Sequence, residues 1–180
     1  MKLKTYINSD NTKKNKFFSK DYLLEWILRP EQFYIKKFLK YLRLEEYYTF
    51  YKPNKFLRYY YFRKKNVLGA RLGFFIPAGC FDLGLHLAHY GSVIINPKAR
   101  IGKNCTIHGN CCIGNAGNDE IGLPIIGDQV DIGQGAQILG DLTIANRVKI
   151  GAGTIVLSSI LEEGATVVGI PGKIINRKQA

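Results

Sequence analysis

The sequence lacks the short motifs that mark metal or nucleotide binding. Its 4 cysteines and 3 histidines form no CxxC pair and none of the Cys and His spacings typical of zinc sites. Neither GxxxxGK[ST] nor GxGxxG occurs, so the glycine-rich loops that hold phosphate groups in many nucleotide-binding proteins are missing. We therefore expect neither a metal site nor a phosphate-binding loop.

Long apolar runs are missing as well. No stretch of 18 apolar residues occurs in the 180-residue chain, which argues against a membrane-spanning helix. The first 20 residues are polar and basic and have no apolar core of the kind a secretory signal needs. These features predict a cytoplasmic protein with reduced thiols.

Acidic residues are scarce in the first part of the chain. Residues 1–71 hold 18 of the 26 Lys and Arg, only 6 of the 14 Asp and Glu, and 10 of the 11 tyrosines. Residues 72–180 carry equal numbers of acidic and basic side chains. This asymmetry predicts a basic, aromatic-rich segment at 1–71, a second domain at 72–175 and a basic tail at 176–180.

The sequence of residues 1–71 predicts helices. Ser19 is a candidate N-cap for a first helix through Leu28, before Arg29-Pro30. Pro30-Glu31 is expected to open a second helix that runs to about Glu46. Asn54 is expected to cap a third helix, from Lys55 to about Lys65.

Three roles are open for this basic, aromatic segment. Packing against the second domain, where it would cover exposed strand edges, is the first. Contact with an anionic membrane face, or with a lipid diphosphate that carries a substrate, is the second, since Lys and Arg beside Tyr and Trp suit an interface. Nucleic-acid binding is the third, and no recognised nucleic-acid-binding motif supports it.

A six-residue period runs from Ile95 to Val156. An aliphatic residue recurs at this spacing with one interruption: Ile95, Ile101, Ile107, Ile113, Ile126, Ile132, Ile138, Ile144, Ile150 and Val156. The residue four places later is often small: Ala99, Cys105, Cys111, Val130, Ala136 and Thr154. A period of six fits neither a helix nor an ordinary strand, but it is typical of a parallel β-helix.

The physical basis of this pattern is a triangular coil. Three units of one short strand and one turn close a coil, and coils stack at about the 4.8 Å spacing between strands. The aliphatic side chain points into the prism and stacks on its counterpart in the next coil, while the small residue shares that interior. Cys105 and Cys111 fall on the small inward position, so we interpret them as core residues.

Specific stretches resemble a known family. GKNCTIHGNCCIGN, IGDQVDIGQGAQILGDLTI, VKIGAGTIVL and the closing VVGIPGKII look like the hexapeptide-repeat acyltransferases. The order of these pieces most resembles the serine O-acetyltransferase branch, and still more the related capsule and exopolysaccharide O-acetyltransferases. The resemblance covers about residues 73–175. It implies a left-handed parallel β-helix, acetyl-CoA as co-substrate and a homotrimer.

The resemblance also implies a catalytic histidine. Leu87-Ala88-His89-Tyr90-Gly91 occupies the place of the family's catalytic motif, which makes His89 the candidate general base. An imidazole suits proton transfer near neutral pH. His86 is a second catalytic candidate. His108 is expected about one coil beyond His89, either at the substrate or as an ordinary turn residue.

Several polar positions of the serine-specific enzymes are missing. Phe74 and Ala88 stand where the family has carboxylates near the histidine, and Gly122 and Leu123 where it has an Arg-His pair that binds the amino acid. A zwitterionic acceptor needs charged partners, since isolated charges are costly to bury. This argues for a neutral sugar hydroxyl as acceptor. Asp82 or a backbone carbonyl remains to orient His89.

The co-substrate site is also carried over from the resemblance. Gly114, Gln134 and Ala152 match small positions that contact the pantetheine arm between neighbouring prisms. Lys173, Arg177 and Lys178 are candidates for the phosphates of CoA. The stretch 116–124, which carries no repeat, is expected to form a loop near the active cleft.

Three functions follow as hypotheses. The first is an acetyl-CoA-dependent O-acetyltransferase that modifies a sugar of a capsule, O-antigen or exopolysaccharide precursor. The second is a serine O-acetyltransferase of cysteine biosynthesis. The third is a non-enzymatic hexapeptide-repeat scaffold whose first 71 residues bind a membrane or a partner.

Overall fold

Short strands recur along the second part of the chain. A computed structural model describes residues 3–7, 9–10, 24, 27–28, 30–117 and 122–175. The strands are β1 Phe74–Phe75, β2 His86–Leu87, β3 Val93–Ile95, β4 Arg100–Ile101, β5 Thr106–Ile107, β6 Cys111–Gly114, β7 Ile125–Ile126, β8 Asp131–Ile132, β9 Gln137–Leu139, β10 Thr143–Ile144, β11 Lys149–Ile150, β12 Ile155–Val156, β13 Thr166–Val168 and β14 Lys173–Ile175.

These strands form three sheets, and the chain visits each in turn. The first sheet has the order β1-β3-β6-β9-β12, the second β10-β7-β4, and the third β14-β13-β11-β8-β5-β2. Every pairing is parallel except β13 with β14. Three faces visited in rotation make a triangular coil, so the predicted parallel β-helix is confirmed.

The interior of the prism follows the six-residue period. All ten aliphatic residues of the repeat are buried, with at most 3% of their surface exposed, and the six small residues are buried beside them. Cys105 and Cys111 are therefore core residues, as the pattern predicts. Burial raises the pKa of the Cys105 thiol to about 11, which keeps it protonated at neutral pH.

One corner of the prism carries a longer connection. β6 ends at Gly114 and β7 begins at Ile125, whereas the connections from β3 to β4 and from β9 to β10 are much shorter. The predicted loop at 116–124 falls within this connection, and its predicted place near the active cleft stays a prediction. Its residues 118–121 lie outside the described part of the chain.

Helices precede the prism: α1 Leu3–Ile7, α2 Pro30–Glu46 and α3 Lys55–Leu72, with a π-helical turn at Tyr47–Tyr51 between α2 and α3. The side chain of Asn54 accepts a hydrogen bond from Leu57 N at 3.0 Å, so its predicted N-cap role is confirmed. The predicted helix that starts after Ser19 lies almost entirely outside the described residues.

The third helix is about two turns longer than the sequence predicted. Its last residues bury Leu68 and Leu72 in the core that they share with the prism, and this tertiary packing extends the helix past Lys65. Gly73 ends it in the left-handed conformation, with φ of 82°. A side chain at Gly73 would also meet Gly91 O at 2.9 Å, so glycine is required there.

The helices cover the first coil of the prism. Phe38 of α2 packs its ring against Phe74 of β1, with 5.1 Å between centroids. Lys65 of α3 donates to Ile76 O, and Arg43 of α2 donates to Phe81 O and Asp82 O. Carbonyl groups at this open end thus receive donors that a further coil would have supplied. The packing role predicted for the helical segment is confirmed.

A buried ionic cluster holds this end of the molecule together. Arg43 is fully buried; its Nε lies 2.5 Å from Asp10 Oδ2 and its Nη1 2.7 Å from Glu46 Oε2. Burial alone would lower the pKa of Arg43, but Glu46 and Asp10 raise it above its usual value. Tyr6 donates its hydroxyl proton to Glu46 at 2.9 Å, which joins the N-terminal residues to the same cluster.

Candidate active site

The three histidines lie along one face and corner of the prism. His86 is in β2, His89 lies at the corner that follows β2, and His108 lies at the equivalent corner after β5. β2 and β5 are hydrogen-bonded neighbours, so the two corners stack. The rings of His89 and His108 come within 6.5 Å of each other, measured between centroids.

A carboxylate from the helical segment lies beside His89. Glu31 Oε1 is 3.4 Å from His89 Nδ1, and the same oxygen accepts a hydrogen bond from Tyr90 N at 2.9 Å. Pairing through Nδ1 leaves Nε2 of the imidazole available to a substrate. A carboxylate on one nitrogen and a free second nitrogen is the arrangement that a histidine base requires.

The first turn of α2 fixes this pair in place. Pro30 begins the helix and Glu31 follows in the first turn, where a negative side chain is favoured by the helix dipole. Tyr90 donates its hydroxyl to Pro30 O at 3.1 Å, and Gln32 Nε2 donates to Ala88 O at 3.1 Å. The residues on both sides of His89 are thus bound to the start of one helix.

The sequence left open whether Asp82 or a backbone carbonyl orients His89, and the structure places a third group, Glu31, beside the ring. Asp82 lies at another corner, where its backbone is bound by Arg43 and Ile101. The carboxylate beside His89 belongs to Glu31, 58 residues earlier in the chain. Its only signal in the sequence is an acidic residue after a helix-opening proline, which reads equally well as ordinary helix stabilisation.

His108 has a carboxylate partner on the next coil. Thr106 and Asp131 are register partners in β5 and β8, and His108 Nε2 lies 3.3 Å from Asp131 Oδ1. That oxygen is shielded from solvent and accepts no hydrogen bond among the described residues. A hydrogen bond donated by the Nε2–H group of His108 would therefore satisfy this oxygen. The sequence left open whether His108 is a substrate contact or a turn residue, and the structure places it beside His89.

His86 is less well placed for catalysis. Its side chain is exposed on the outer face of β2, and no ion pair or ring contact involves it in the described part of the chain. Its catalytic role stays a prediction.

The positions predicted to contact the pantetheine arm fall at two corners. Gln134 and Ala152 stack at the corner that carries His89 and His108, since Gly153 N donates to Gln134 O at 2.8 Å. Gly114 ends β6 and so begins the next corner. Within a single chain, Gln134 and Ala152 therefore lie at the corner of the histidines, whereas Gly114 lies at a different corner.

Of the three cationic residues predicted to bind the phosphates of CoA, one lies among the described residues. Lys173 is exposed in β14, at the far end of the prism from the helices. Arg177 and Lys178 lie outside the described residues. Within the residues that the structure describes, no group of three or more His, Cys, Asp or Glu side chains could hold a metal ion.

The His89 corner is an open surface in the single chain. The His89 side chain is 65% exposed. Two shallow cavities of about 200 and 240 Å³ lie elsewhere; the first is lined by Cys80, Arg100 and Ile126, the second by Asn96 and Asn115, among others. The histidine corner is therefore a surface onto which another wall has to be added before a substrate is enclosed.

Sequence comparison identifies serine acetyltransferases as relatives. The chain is 42% identical over 102 residues to the enzyme of Staphylococcus xylosus, and 36% identical over 110 residues to that of Synechococcus elongatus. These matches cover 56% and 61% of this chain but 47% and 41% of the relatives, so the chain spans about half the length of the curated relatives it matches. No protein-family model matches the chain.

Solved structures agree on the fold. A soybean serine acetyltransferase complexed with serine superposes with a TM-score of 0.72 over 96% of this chain and 69% of its own, at 21% identity. The enzyme of Brucella abortus gives 0.69 over 96% and 67%, also at 21% identity. A serine acetyltransferase in complex with CoA gives 0.62 over 79% and 57%, at 22% identity. This likeness confirms the left-handed β-helix with preceding helices.

The predicted sugar O-acetyltransferase activity is contradicted. The relatives in sequence and the neighbours in structure are serine acetyltransferases, and nothing supports the capsule and exopolysaccharide branch. The prediction rested on missing charged residues at four expected positions. The structure supplies charge from elsewhere, because it brings Glu31 to His89 and Asp131 to His108.

The chain is thus similar in sequence to serine acetyltransferases over somewhat more than half of its length, and it shares their fold.

Proposed function

We propose that the protein is an acetyl-CoA-dependent O-acetyltransferase that accepts L-serine and uses His89 as general base. The observation that carries the proposal is the pairing of His89 Nδ1 with Glu31 Oε1 at 3.4 Å. The sequence relationship to serine acetyltransferases supports the choice of reaction and of acceptor.

The reaction follows from the geometry of the pair. Glu31 holds Nδ1, so Nε2 of His89 takes the proton of the serine hydroxyl while its oxygen bonds to the acetyl carbonyl carbon. The thioester of acetyl-CoA supplies the acetyl group. When the carbon–sulfur bond breaks, the imidazolium returns its proton to the departing thiolate, and the negative charge of Glu31 stabilises the imidazolium in between. No acetylated enzyme is formed.

The second pair offers partners to the ends of the amino acid. L-Serine carries an ammonium and a carboxylate, and both need opposite charges when they leave water. Asp131, half of whose side chain is exposed, supplies a carboxylate for the ammonium, and the partly exposed imidazole of His108 beside it offers a polar contact to the rest of the amino acid. With the two rings 6.5 Å apart, a small acceptor can contact His108 and His89 together.

The corner below the histidines suits the long arm of the co-substrate. Gly153 has no atom within 4 Å of the place where a side chain would begin, and Ala152 beside it is exposed. Backbone groups are accessible there because no large side chain covers them. Gln134 narrows the upper part of this surface and can donate a hydrogen bond. Lys173, Arg177 and Lys178 remain predicted phosphate contacts.

A homotrimer is part of the proposal. The open corner needs a second wall, and an adjacent prism in a closed ring would provide it. Gly114 lies at the next corner of the same prism, so in such a ring one copy's Gly114 could face another copy's histidines.

The proposal is tested by following CoA thiol release from acetyl-CoA with purified protein. We expect saturable release with L-serine, together with O-acetylserine identified by mass spectrometry. D-Serine and L-alanine serve as matched acceptors, because the first reverses the stereocentre and the second lacks the hydroxyl. Release that is equal with all three, or absent with L-serine, would refute the proposal.

Replacing Glu31 by Gln tests the orienting carboxylate. The amide keeps the shape but loses the negative charge that stabilises an imidazolium, so we expect kcat to fall by about 10- to 100-fold, as when carboxylates that orient metal-bound histidines are replaced. The KM for L-serine should change little. Steady-state kinetics measure both values. Glu162→Gln, at an exposed corner, is the control and should match the parent; an unchanged kcat in Glu31→Gln would remove Glu31 from the mechanism.

Replacing Asp131 by Asn tests the acceptor site. Loss of the charge beside His108 should raise the KM for L-serine by about tenfold, the usual effect of one charged hydrogen bond, while the KM for acetyl-CoA stays the same. Asp82, exposed at a corner that carries neither the histidines nor Gly114, provides the control variant Asp82→Asn. A fall in kcat with no change in either KM would assign Asp131 a different role.

A further inference from the structure

The outward side of α3 carries apolar side chains that no other described residue covers. Phe56 is 90% exposed, and Tyr59, Tyr60 and Val67 are each about half exposed. We call these four residues the aromatic face. Positions 56, 60 and 67 follow helical spacing and fall on one side, whereas the opposite side buries Leu68 and Leu72 in the core. The helix is therefore apolar on two sides, and within the described part of the chain only one of them packs against the rest of the protein.

Positive charge surrounds the aromatic face. Residues 47–81 contain no Asp or Glu. The exposed cations of this stretch are Lys52, Lys55, Arg58, Arg63, Lys64 and Arg71. Two of them lie over rings of the face: Arg58 is 5.8 Å from the centroid of Tyr59, and Lys64 is 5.5 Å from that of Tyr60. A partner must therefore be both apolar at its centre and negatively charged around it.

Charge decides between the possible occupants. A second copy of the chain would bring two sets of six cations together, which like-charge repulsion disfavours. A nucleic acid is negative, but Phe56 and Val67 project from a convex helix and form no groove that follows a strand. An anionic lipid bilayer offers negative headgroups above an apolar layer, in the order in which the cations and rings are arranged.

We propose that α3 lies on the surface of an anionic phospholipid bilayer, with the aromatic face inserted among the headgroups and the surrounding cations bound to lipid phosphates. Tyr and Phe at this level and Lys and Arg around them are typical of interfacial helices. No helix of the described residues is long and apolar enough to cross a membrane, so the contact is peripheral. The inference concerns a surface distinct from the histidine corner and does not depend on the proposed reaction.

Co-sedimentation of the full chain with vesicles tests this inference. We expect binding to vesicles of phosphatidylcholine mixed with phosphatidylglycerol, and little to phosphatidylcholine alone. The double variant Phe56→Ser/Tyr60→Ser removes apolar contact and keeps every charge, and it should bind the anionic vesicles about tenfold more weakly. Leu157→Ser/Leu161→Ser, which changes two exposed leucines of the prism, is the matched control and should bind like the parent.

Three outcomes would overturn the proposal. Equal binding by the aromatic variant would mean that the net charge of +12 alone attracts the protein to vesicles. A change in its sedimentation coefficient without loss of vesicle binding would identify the face as a contact between copies. Loss of binding to an oligothymidine, with vesicle binding retained, would identify it as a nucleic-acid surface. Because all four substituted side chains are exposed, we expect both double variants to fold like the parent. Circular dichroism spectra that match the parent's would exclude misfolding.

Discussion

Replacing His89 by Ala is expected to lower kcat by about 100- to 10,000-fold, the usual contribution of a general base. The substitution removes the nitrogen that accepts the hydroxyl proton and leaves Glu31 bound to Tyr90 N. Binding of acetyl-CoA should persist, because its proposed contacts lie on other coils. Rates come from CoA release with L-serine, and co-substrate binding from calorimetry on the same preparation.

His86→Ala is the matched control for this experiment. His86 lies three residues earlier on the same coil and is exposed, so its loss tests whether any imidazole near this corner supports the reaction. We expect parental kcat, which would also withdraw the second catalytic candidate. A full rate in His89→Ala, or a large loss in His86→Ala alone, would reverse the assignment of the base.

The prism could be predicted because its interior is a one-dimensional repeat. Each coil places one aliphatic and one small residue at fixed intervals, and stacking requires both at every level. Ile107, Ile132 and Ile150 therefore identify their own neighbours by position alone, and the structure stacks them in adjacent strands. A pattern of this kind depends on no contact between distant parts of the chain.

The partners of the histidines could not be predicted because they depend on how the helices meet the prism. Glu31 reaches His89 only after α2 has packed across the first coil. The prediction of a neutral acceptor failed for the same reason: positions near His89 in sequence were uncharged, while charge arrived from Glu31. The position of Asp131 is easier to derive from the sequence, since its place beside His108 follows from the stacking of β5 and β8.

The cluster around Arg43 explains how the helices are held in that position. Its guanidinium binds Asp10 from the N-terminal residues, Glu46 from its own helix, and the carbonyls of Phe81 and Asp82 in the first coil. The α2 helix that carries Arg43 also carries Glu31. The same packing that completes the prism therefore positions the carboxylate of the proposed active site.

Replacing Arg43 by Ala should lower the free energy of unfolding by about 3–5 kcal/mol, the range for removing one partner of a buried ion pair. The loss leaves the buried carboxylates of Asp10 and Glu46 without their cation, and the carbonyls of Phe81 and Asp82 without this donor. The shift is measured as a lower midpoint in urea denaturation, at matched protein concentration since an oligomer would add stability.

Comparison with Arg147→Ala shows whether the loss of stability in Arg43→Ala comes from the burial of the ion pair or from the loss of a charge. Arg147 also pairs with a carboxylate, that of Glu163 at 3.1 Å, but 62% of its side chain is exposed. Exposed pairs contribute at most about 1 kcal/mol, so the two variants should differ by several-fold in the size of their effect. Arg43→Lys keeps the charge but loses the forked geometry, and it should fall between them. Equal effects of Arg43→Ala and Arg147→Ala would mean that apolar packing alone holds the helices on the prism. The position of Glu31 would then depend on the packing of Phe38 and its neighbours and not on the ionic cluster.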